Sequence, residues 1–258
     1  MNIFLVIVIF FLGASVGSFV NVLVSRSIAG SDWLRGRSQC ERCGKPLAWY
    51  DMIPLLSFAI YRGKSRCCKR SLSMAHPIVE GLFGMLFVWW LLVGFIFFQL
   101  ATAPWTIVQP IFWLGIGILL LMIMVADATY GVILMPFIYI SIIWIYGYRF
   151  ALAISGTYQW TDLGITLLSG VLSFGFLQAL HVITKGRGMG DGDPYLAFVT
   201  GSLLSGIAAF WGMLSAFILG AVWGIGLILL SLKKMSQTIP FGPFLVIGCL
   251  ITLLVIRF

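Results

Sequence analysis

Carboxylates are scarce in this chain, with eight among 258 residues. Asp32, Glu41 and Asp51 fall in a basic stretch at 25–75, so Glu80, Asp127, Asp162, Asp191 and Asp193 stand in segments otherwise dominated by apolar residues. An ionisable group in such surroundings is costly and needs a reason. Asp162, ahead of Leu163, reads as an interfacial helix N-cap. Glu80 follows His76-Pro77 at the start of an apolar run, where a first-turn carboxylate suits the helix dipole. Asp127 instead closes an apolar run, and Asp191 and Asp193 close the loop Gly188-Met189-Gly190-Asp191-Gly192-Asp193. Two close carboxylates cannot both ionise cheaply, so one keeps a proton while the other stays a base. Such a pair can activate water and protonate a leaving amine without a metal or cofactor, which is aspartyl protease chemistry. Gly188, Gly190 and Gly192 let the backbone turn sharply and let an extended substrate lie close. No strand precedes them and their spacing is not that of a dinucleotide loop. The residues alone leave three readings open: a protease dyad, an exposed acidic loop, and an ion or proton pathway.

Other hydrolytic chemistries fit less well. The two histidines, His76 and His181, have no second histidine four residues on, and no G-x-S-x-G elbow occurs. The cysteines are more suggestive. Cys40-Glu41-Arg42-Cys43-Gly44 is a metal knuckle, and Cys67-Cys68 follows after a spacer. Ser65-Arg66-Cys67-Cys68 reads as a second knuckle with serine in its first position and an extra cysteine beside the survivor. Cys40, Cys43, Cys67 and Cys68 are therefore candidate zinc ligands, with free thiols as the alternative in a reducing compartment. Cys249, inside an apolar run, reads as a packing residue.

The elements that must position these groups are membrane helices. With 61% hydrophobic residues, 9% charged residues and a mean hydropathy of +1.08, the chain is not an ordinary soluble globule. Apolar runs at 3–24, 77–99, 107–126, 132–148, 162–183, 195–210, 212–232 and 241–257 predict an all-α polytopic protein of about eight spans. Sixteen basic residues give a net charge of +8, and ten of them lie at 25–75. Placing the N-terminus outside puts those ten with Lys185, Arg187, Lys233 and Lys234 in the cytoplasm, and leaves Arg149 and Arg257 opposite. Asp127 and the 191/193 pair then share one face and depth. The expected organisation is a first span at 1–24, a basic cytoplasmic insert at 25–75 and a membrane core at 76–258. The insert's charge suits anionic lipid headgroups rather than nucleic acid.

Five patches resemble the type IV prepilin peptidases, in the family's order: Gly17-Ser18-Phe19-Val20-Asn21-Val22; Cys40-x-x-Cys43; His76-Pro77-Ile78-Val79-Glu80; Gly190-Asp191-Gly192-Asp193; and Ile239-Pro240-Phe241-Gly242-Pro243-Phe244. Asp127-Ala128-Thr129-Tyr130-Gly131-Val132-Ile133 resembles the family's first catalytic stretch. The resemblance implies a GxGD-type intramembrane aspartic protease of a bacterial inner membrane. It would cut a short basic leader from prepilins or pseudopilins at the cytoplasmic face. It carries catalysis to Asp127 and Asp193, with Asp191 in reserve because Gly188-Met189-Gly190-Asp191 also satisfies GxGD. Asn21 and Glu80 join the glycines as residues that shape the substrate site or its loops. Many members also N-methylate the product with S-adenosylmethionine, which the resemblance alone implies here. The chain departs from the family at Leu134, with proline two later at Pro136; at Tyr195 after Pro194, where lysine is usual; and at Ser65. A polytopic proton-coupled carrier and a pilus-assembly scaffold that has lost catalysis are the competing functions. The carrier would call for midplane acids and an inverted repeat, and the sequence has neither.

Overall fold

The computed structural model describes residues 2–31, 38–40, 43–92, 94, 104–186, 189–230 and 239–255. Gly188 lies outside them, as do Arg35, Arg37, Arg42, Arg187, Lys233, Lys234 and Arg257 among the residues used for orientation. The described chain is helical, and six helices are long and apolar enough to cross a membrane. It divides into two compact units, Met1–Leu114 and Gly115–Phe258.

In the first unit, α1 (Ile3–Ile28) packs antiparallel against α3 (Ala75–Leu92). Gly13, Ala14 and Gly17 make the seam, opposite Phe83 and Phe87. Small residues allow this approach where no hydrophobic force joins helices in lipid. The Asn2 side chain caps α1 by accepting from the Phe4 amide. Between the two helices run two short knuckles, each pinned by a β-bridge (Gln39 with Pro46, Lys64 with Ser71). A 3₁₀ turn, Trp49–Met52, and a short helix α2, Leu56–Ile60, lie between the knuckles.

The boundary between the units divides α4 (Trp105–Tyr130). The second unit continues with α5 (Met135–Ile154), α6 (Trp160–Ile183), α7 (Asp193–Leu204), α8 (Gly206–Leu229) and α9 (Gly242–Val255). Its centre is α7, which is buried along nearly its whole length and packs on α5, α6, α8 and α9. Each of the eight expected runs holds a helix among the described residues, but α7 and α9 are shorter than a span, and five local expectations change. Glu80 is not in the first turn of its helix, since α3 begins at Ala75 and Glu80 is its sixth residue. The run expected at 195–210 is a helix of only 12 residues, about 18 Å long. It stops because Ser205 adopts φ +60 and α8 starts at once. Arg149 is not a free outer-loop residue. It lies within α5 and donates to the Leu203 carbonyl at 2.8 Å and to Thr166 Oγ1, closing the end of α7. Asp162 is not the N-cap of α6; that position is Gln159, whose amide donates to Asp162 Oδ2 at 3.0 Å. Nor does Asp127 end its helix, which runs on to Tyr130 before Gly131 turns it with φ +65.

Candidate active site

Asp127 and Asp193 both belong to the Gly115–Phe258 unit, and both are buried, with 6% and 3% of their surface exposed. Burying a carboxyl without partners is expensive, so what each one meets is decisive. The Gly242 amide donates to Asp127 Oδ2 at 2.9 Å, and Gly242 is the first residue of α9. The Gly190 amide donates to Asp193 Oδ2 at 2.9 Å, and Asp193 is itself the first residue of α7, followed by Pro194. The Asp127 carboxylate thus meets the N-terminus of α9, although Asp127 itself lies in the last turn of α4. Asp193 opens α7 and takes its amide from the loop three residues before it. Neither has a cationic side-chain partner among the described residues. Among the described residues no hydrogen bond reaches either Oδ1.

The stretches carrying these acids touch. A Cβ on Gly192 would lie 2.7 Å from Ile133 Cβ, so only glycine lets the loop before Asp193 rest on the segment after Asp127. Asp193 is near enough to feel the charges of both Asp127 and His181. Leu134 ends that segment as the N-cap of α5, and Pro136 fills the helix's first turn, which suits a residue without an amide proton. Tyr195 packs edge-on against Phe174 of α6, its ring centroid 5.3 Å away.

Asp191 is placed differently. Its side chain is 95% exposed and pairs with His181 Nε2 at 3.3 Å, while His181 Nδ1 contacts the Met189 carbonyl at 3.1 Å. Gly242 is a site residue that sequence reading missed. A Cβ there would fall 2.6 Å from Asp127 Oδ2, so the amide reaches the carboxylate only from glycine. The run Pro240-Phe241-Gly242-Pro243 does announce a helix start, but not which acid that start meets.

In the Met1–Leu114 unit, Cys40, Cys43, Cys67 and Cys68 come together, all four sulfurs within 4.8 Å of one another. Cys40 to Cys68 is 3.9 Å and Cys43 to Cys67 is 3.2 Å. Tetrahedral zinc with Zn–S near 2.3 Å separates its sulfurs by about 3.8 Å, so this donor set fits a divalent metal after small adjustments. The knuckles match turn for turn. The Gly44 amide returns to the Cys40 carbonyl and the Lys69 amide to the Ser65 carbonyl, both at 2.8 Å. The second knuckle makes with Lys69 at φ +59 the turn the first makes with Gly44 at φ +69. Ser65 stands where the missing cysteine would be, buried, with Oγ 3.3 Å from Cys40 Sγ and 3.1 Å from Cys67 Sγ. Arg66 braces the turn through a bidentate pair with Asp51 at 2.8 and 3.0 Å. Burial alone would raise the Asp51 carboxyl, but Arg66 and the Ala48 amide hold it below the usual carboxylate range.

Asn21 and Glu80 face a cavity of about 880 Å³ in the same unit. Glu80 Oε2 accepts from the Leu55 amide at 2.8 Å, and Asn21 Nδ2 donates weakly to the His76 carbonyl at 3.5 Å.

The structure is that of a helical protein with six helices long and apolar enough to cross a membrane, two buried carboxylates in its second unit and a cysteine cluster between its first apolar helices. Residues 11–93 match the bacterial peptidase A24 N-terminal domain. The chain is 30% identical over 231 residues to a prepilin leader peptidase/N-methyltransferase of Myxococcus xanthus, covering 89% of this chain and 65% of that protein. It is 25% identical over 252 residues to the one from Bacillus subtilis, covering 96% and 93%. Against the one from Pseudomonas putida it is 26% identical over 274 residues, covering 92% and 86%. The chain thus spans just under two thirds of the Myxococcus relative and most of the other two. No solved structure matches it. Residues 11–93 are thus similar to the A24 N-terminal domain, and most of the chain is similar to proteins named prepilin leader peptidase/N-methyltransferase.

Proposed function

We propose that the protein is a membrane-embedded aspartic endopeptidase that removes the short basic leader from type IV prepilins or pseudopilins at the cytoplasmic face of a bacterial inner membrane. The observation that carries this reading is the pair of buried carboxylates, each met by one backbone amide, that of Gly242 at the start of α9 for Asp127 and that of Gly190 in the loop before α7 for Asp193. Amide donors support the ionised form without neutralising it, so each group can act as base in one step and acid in another. Asp127 and Asp193 hold one proton between them. The ionised carboxylate takes a proton from water, whose oxygen attacks the scissile carbonyl carbon. The protonated partner hands its proton to the departing amine as the C–N bond breaks. The substrate's apolar segment docks laterally among the spans, with the leader junction extended past Gly190 and Gly192. Asp191, exposed and paired with His181, is not part of the pair.

Residues 76–258 form the proteolytic core in this reading, and both chain termini face outward. The basic insert at 25–75 lies on anionic headgroups. Zinc held by Cys40, Cys43, Cys67 and Cys68 would staple an insert too poor in apolar residues for its own core. The relatives' names also support N-methylation of the newly exposed residue, for which S-adenosylmethionine would supply the methyl group.

Purified wild type, Asp127→Asn, Asp193→Asn and Asp191→Asn, incubated with prepilin in detergent, test the reading. Leader removal should fall by about 10³-fold or more in the first two variants and stay close to wild type in the third. Wild-type cleavage by Asp127→Asn or Asp193→Asn would overturn the dyad, and no cleavage by wild type would leave a scaffold or a carrier instead. Loss confined to Asp191→Asn would move the register by two residues.

A further inference from the structure

The peptide group that holds Asp193 is itself held. Its amide, the Gly190 N–H, donates to Asp193 Oδ2 at 2.9 Å, and its carbonyl, that of Met189, faces His181 Nδ1 at 3.1 Å. The two are opposite ends of one planar unit, so fixing the oxygen fixes the direction of the N–H. A donor on that oxygen also polarises the unit and strengthens the bond its N–H makes. His181 thus reaches Asp193 through a single peptide group. Its other nitrogen, Nε2, lies 3.3 Å from Asp191 Oδ1. Both ring nitrogens therefore face oxygens that only accept, a carbonyl and a carboxylate, and only the doubly protonated ring donates to both. His181 also stands in the last turn of α6, where the helix dipole favours a cation. Asp191 is 95% exposed, so its attraction is screened and the hold on Met189 does not depend on it.

The titratable groups around the ring are few. The loop brings Asp191, α7 brings Asp193 and Tyr195, and α8 brings none. From α5 come tyrosines and Arg149, which meets α6 near its other end, at Thr166. Lys185 lies just beyond the end of α6 itself. We propose that His181, as an imidazolium, is a positioning residue that aims the Gly190 amide at Asp193, and that losing its proton loosens that hold. A neutral imidazole has one N–H and must turn a lone pair on either Met189 or Asp191. The clamp is therefore complete below the titration of His181 and weakens as pH rises through it. Its effect on cleavage rests on the reading of Asp127 and Asp193 as the proteolytic pair.

The chain has only two histidines, which makes the test direct. In the full chain labelled with ¹⁵N-histidine and held in detergent, His76 and His181 are the only imidazole signals, and His181→Asn tells them apart. His181 should show two protonated nitrogens at the pH where leader removal is fastest, and should show them equally in the inactive Asp127→Asn. His181→Phe keeps a ring without a donor. It should lower kcat about tenfold with KM unchanged, and speed hydrogen exchange of the loop at 189–192. His181→Asn places an N–H where Nδ1–H lies but does not titrate. It should recover most of kcat and the slow exchange. The aspartate pair titrates in every variant, so the His181 contribution is the alkaline limb that wild type shows and His181→Asn lacks. A thermal melt on each variant separates a lost clamp from a lost fold. A neutral His181 at the pH of fastest cleavage would overturn the inference. So would wild-type kcat in folded His181→Phe, or an alkaline limb unchanged in His181→Asn. A wild type that never cuts prepilin would remove the peptidase reading, and hydrogen exchange alone would then decide for or against the clamp.

Discussion

Acidic residues meet two different environments in the two units. In Met1–Leu114, Asp51 is answered by a full positive charge, the bidentate guanidinium of Arg66, which also leans over the Tyr50 ring at 4.8 Å. That carboxylate is committed to bracing the knuckle. In Gly115–Phe258, Asp127 and Asp193 are buried yet among the described residues receive only neutral donors, one backbone amide each. Arg149 of that unit is engaged by Leu203 and Thr166 and by the Tyr158 ring. A countercharge fixes an acid in its ionised form, whereas an amide supports the charge and still lets a proton come and go. The proposed roles of Asp51 as a brace and of Asp127 and Asp193 as a proton-exchanging pair rest on this contrast. Glu80 belongs with the second kind although it lies in the first unit, since it too receives one backbone amide and no cation among the described residues.

The sharpest way to break the contrast after the aspartates themselves is Gly242→Ala. The added Cβ would fall 2.6 Å from Asp127 Oδ2, so either the carboxylate or the start of α9 must move. Displacements of about 1 Å cost roughly 10²-fold in turnover. The expected result is a fall of that order in kcat for leader removal, with little change in KM or in the melting profile. Wild-type turnover with alanine at 242 would show that the amide is not what holds Asp127.

Arg149→Met comes next. It leaves the Leu203 carbonyl and Thr166 hydroxyl without their charged donor, a loss of about 2 kcal/mol. For a chain of this size that lowers the thermal midpoint by about 4–8 °C. Because α7 carries Asp193 at its other end, leader removal should slow as well, by about tenfold on a shift smaller than that at Gly242. Arg149→Lys should recover part of both, since one ammonium cannot reach both acceptors. Equal melting of wild type and Arg149→Met would show that the break at Ser205 holds α7 unaided.

These two residues also mark where the sequence could be read and where it could not. Apolar runs revealed all eight segments because length and hydropathy are local properties. The carboxylates were legible because they are rare, and topology alone brought 127 and 191/193 to one face. The α7 break was not legible, because hydropathy is blind to a single positive φ at Ser205. Arg149 was assigned to an outer loop by its charge, yet it is drawn into the bundle by a carbonyl 54 residues away. Gly242 was noticed only as part of a patterned stretch. Its role depends on an acid 115 residues earlier in the chain, and no window of local sequence contains both. The knuckles were readable in register, Ser65 included, but not in outcome. Only the turn at Lys69 shows how Cys67 and Cys68 can both face Cys40 and Cys43.

The smallest expected effect tests the other side of the contrast, through the pH dependence of stability. The folded Asp51 carboxyl lies below its ordinary range because Arg66 and the Ala48 amide outweigh the opposing effect of burial. A carboxyl depressed on folding contributes stability in full above its unfolded value, near 3.9, and loses that contribution as pH falls through the folded value. Arg66 remains protonated throughout this window, so the titration belongs to the carboxylate. Wild type should therefore melt above Asp51→Asn by a constant margin from neutral pH down to about 5, and the margin should close as pH approaches about 2. High salt should narrow it, because Arg66 is largely exposed and the pair is screened. A margin that persists unchanged at the acid end would mean that Asp51 braces the knuckle by hydrogen bonding alone. The guanidinium charge would then add nothing, and the two units would treat their acids alike.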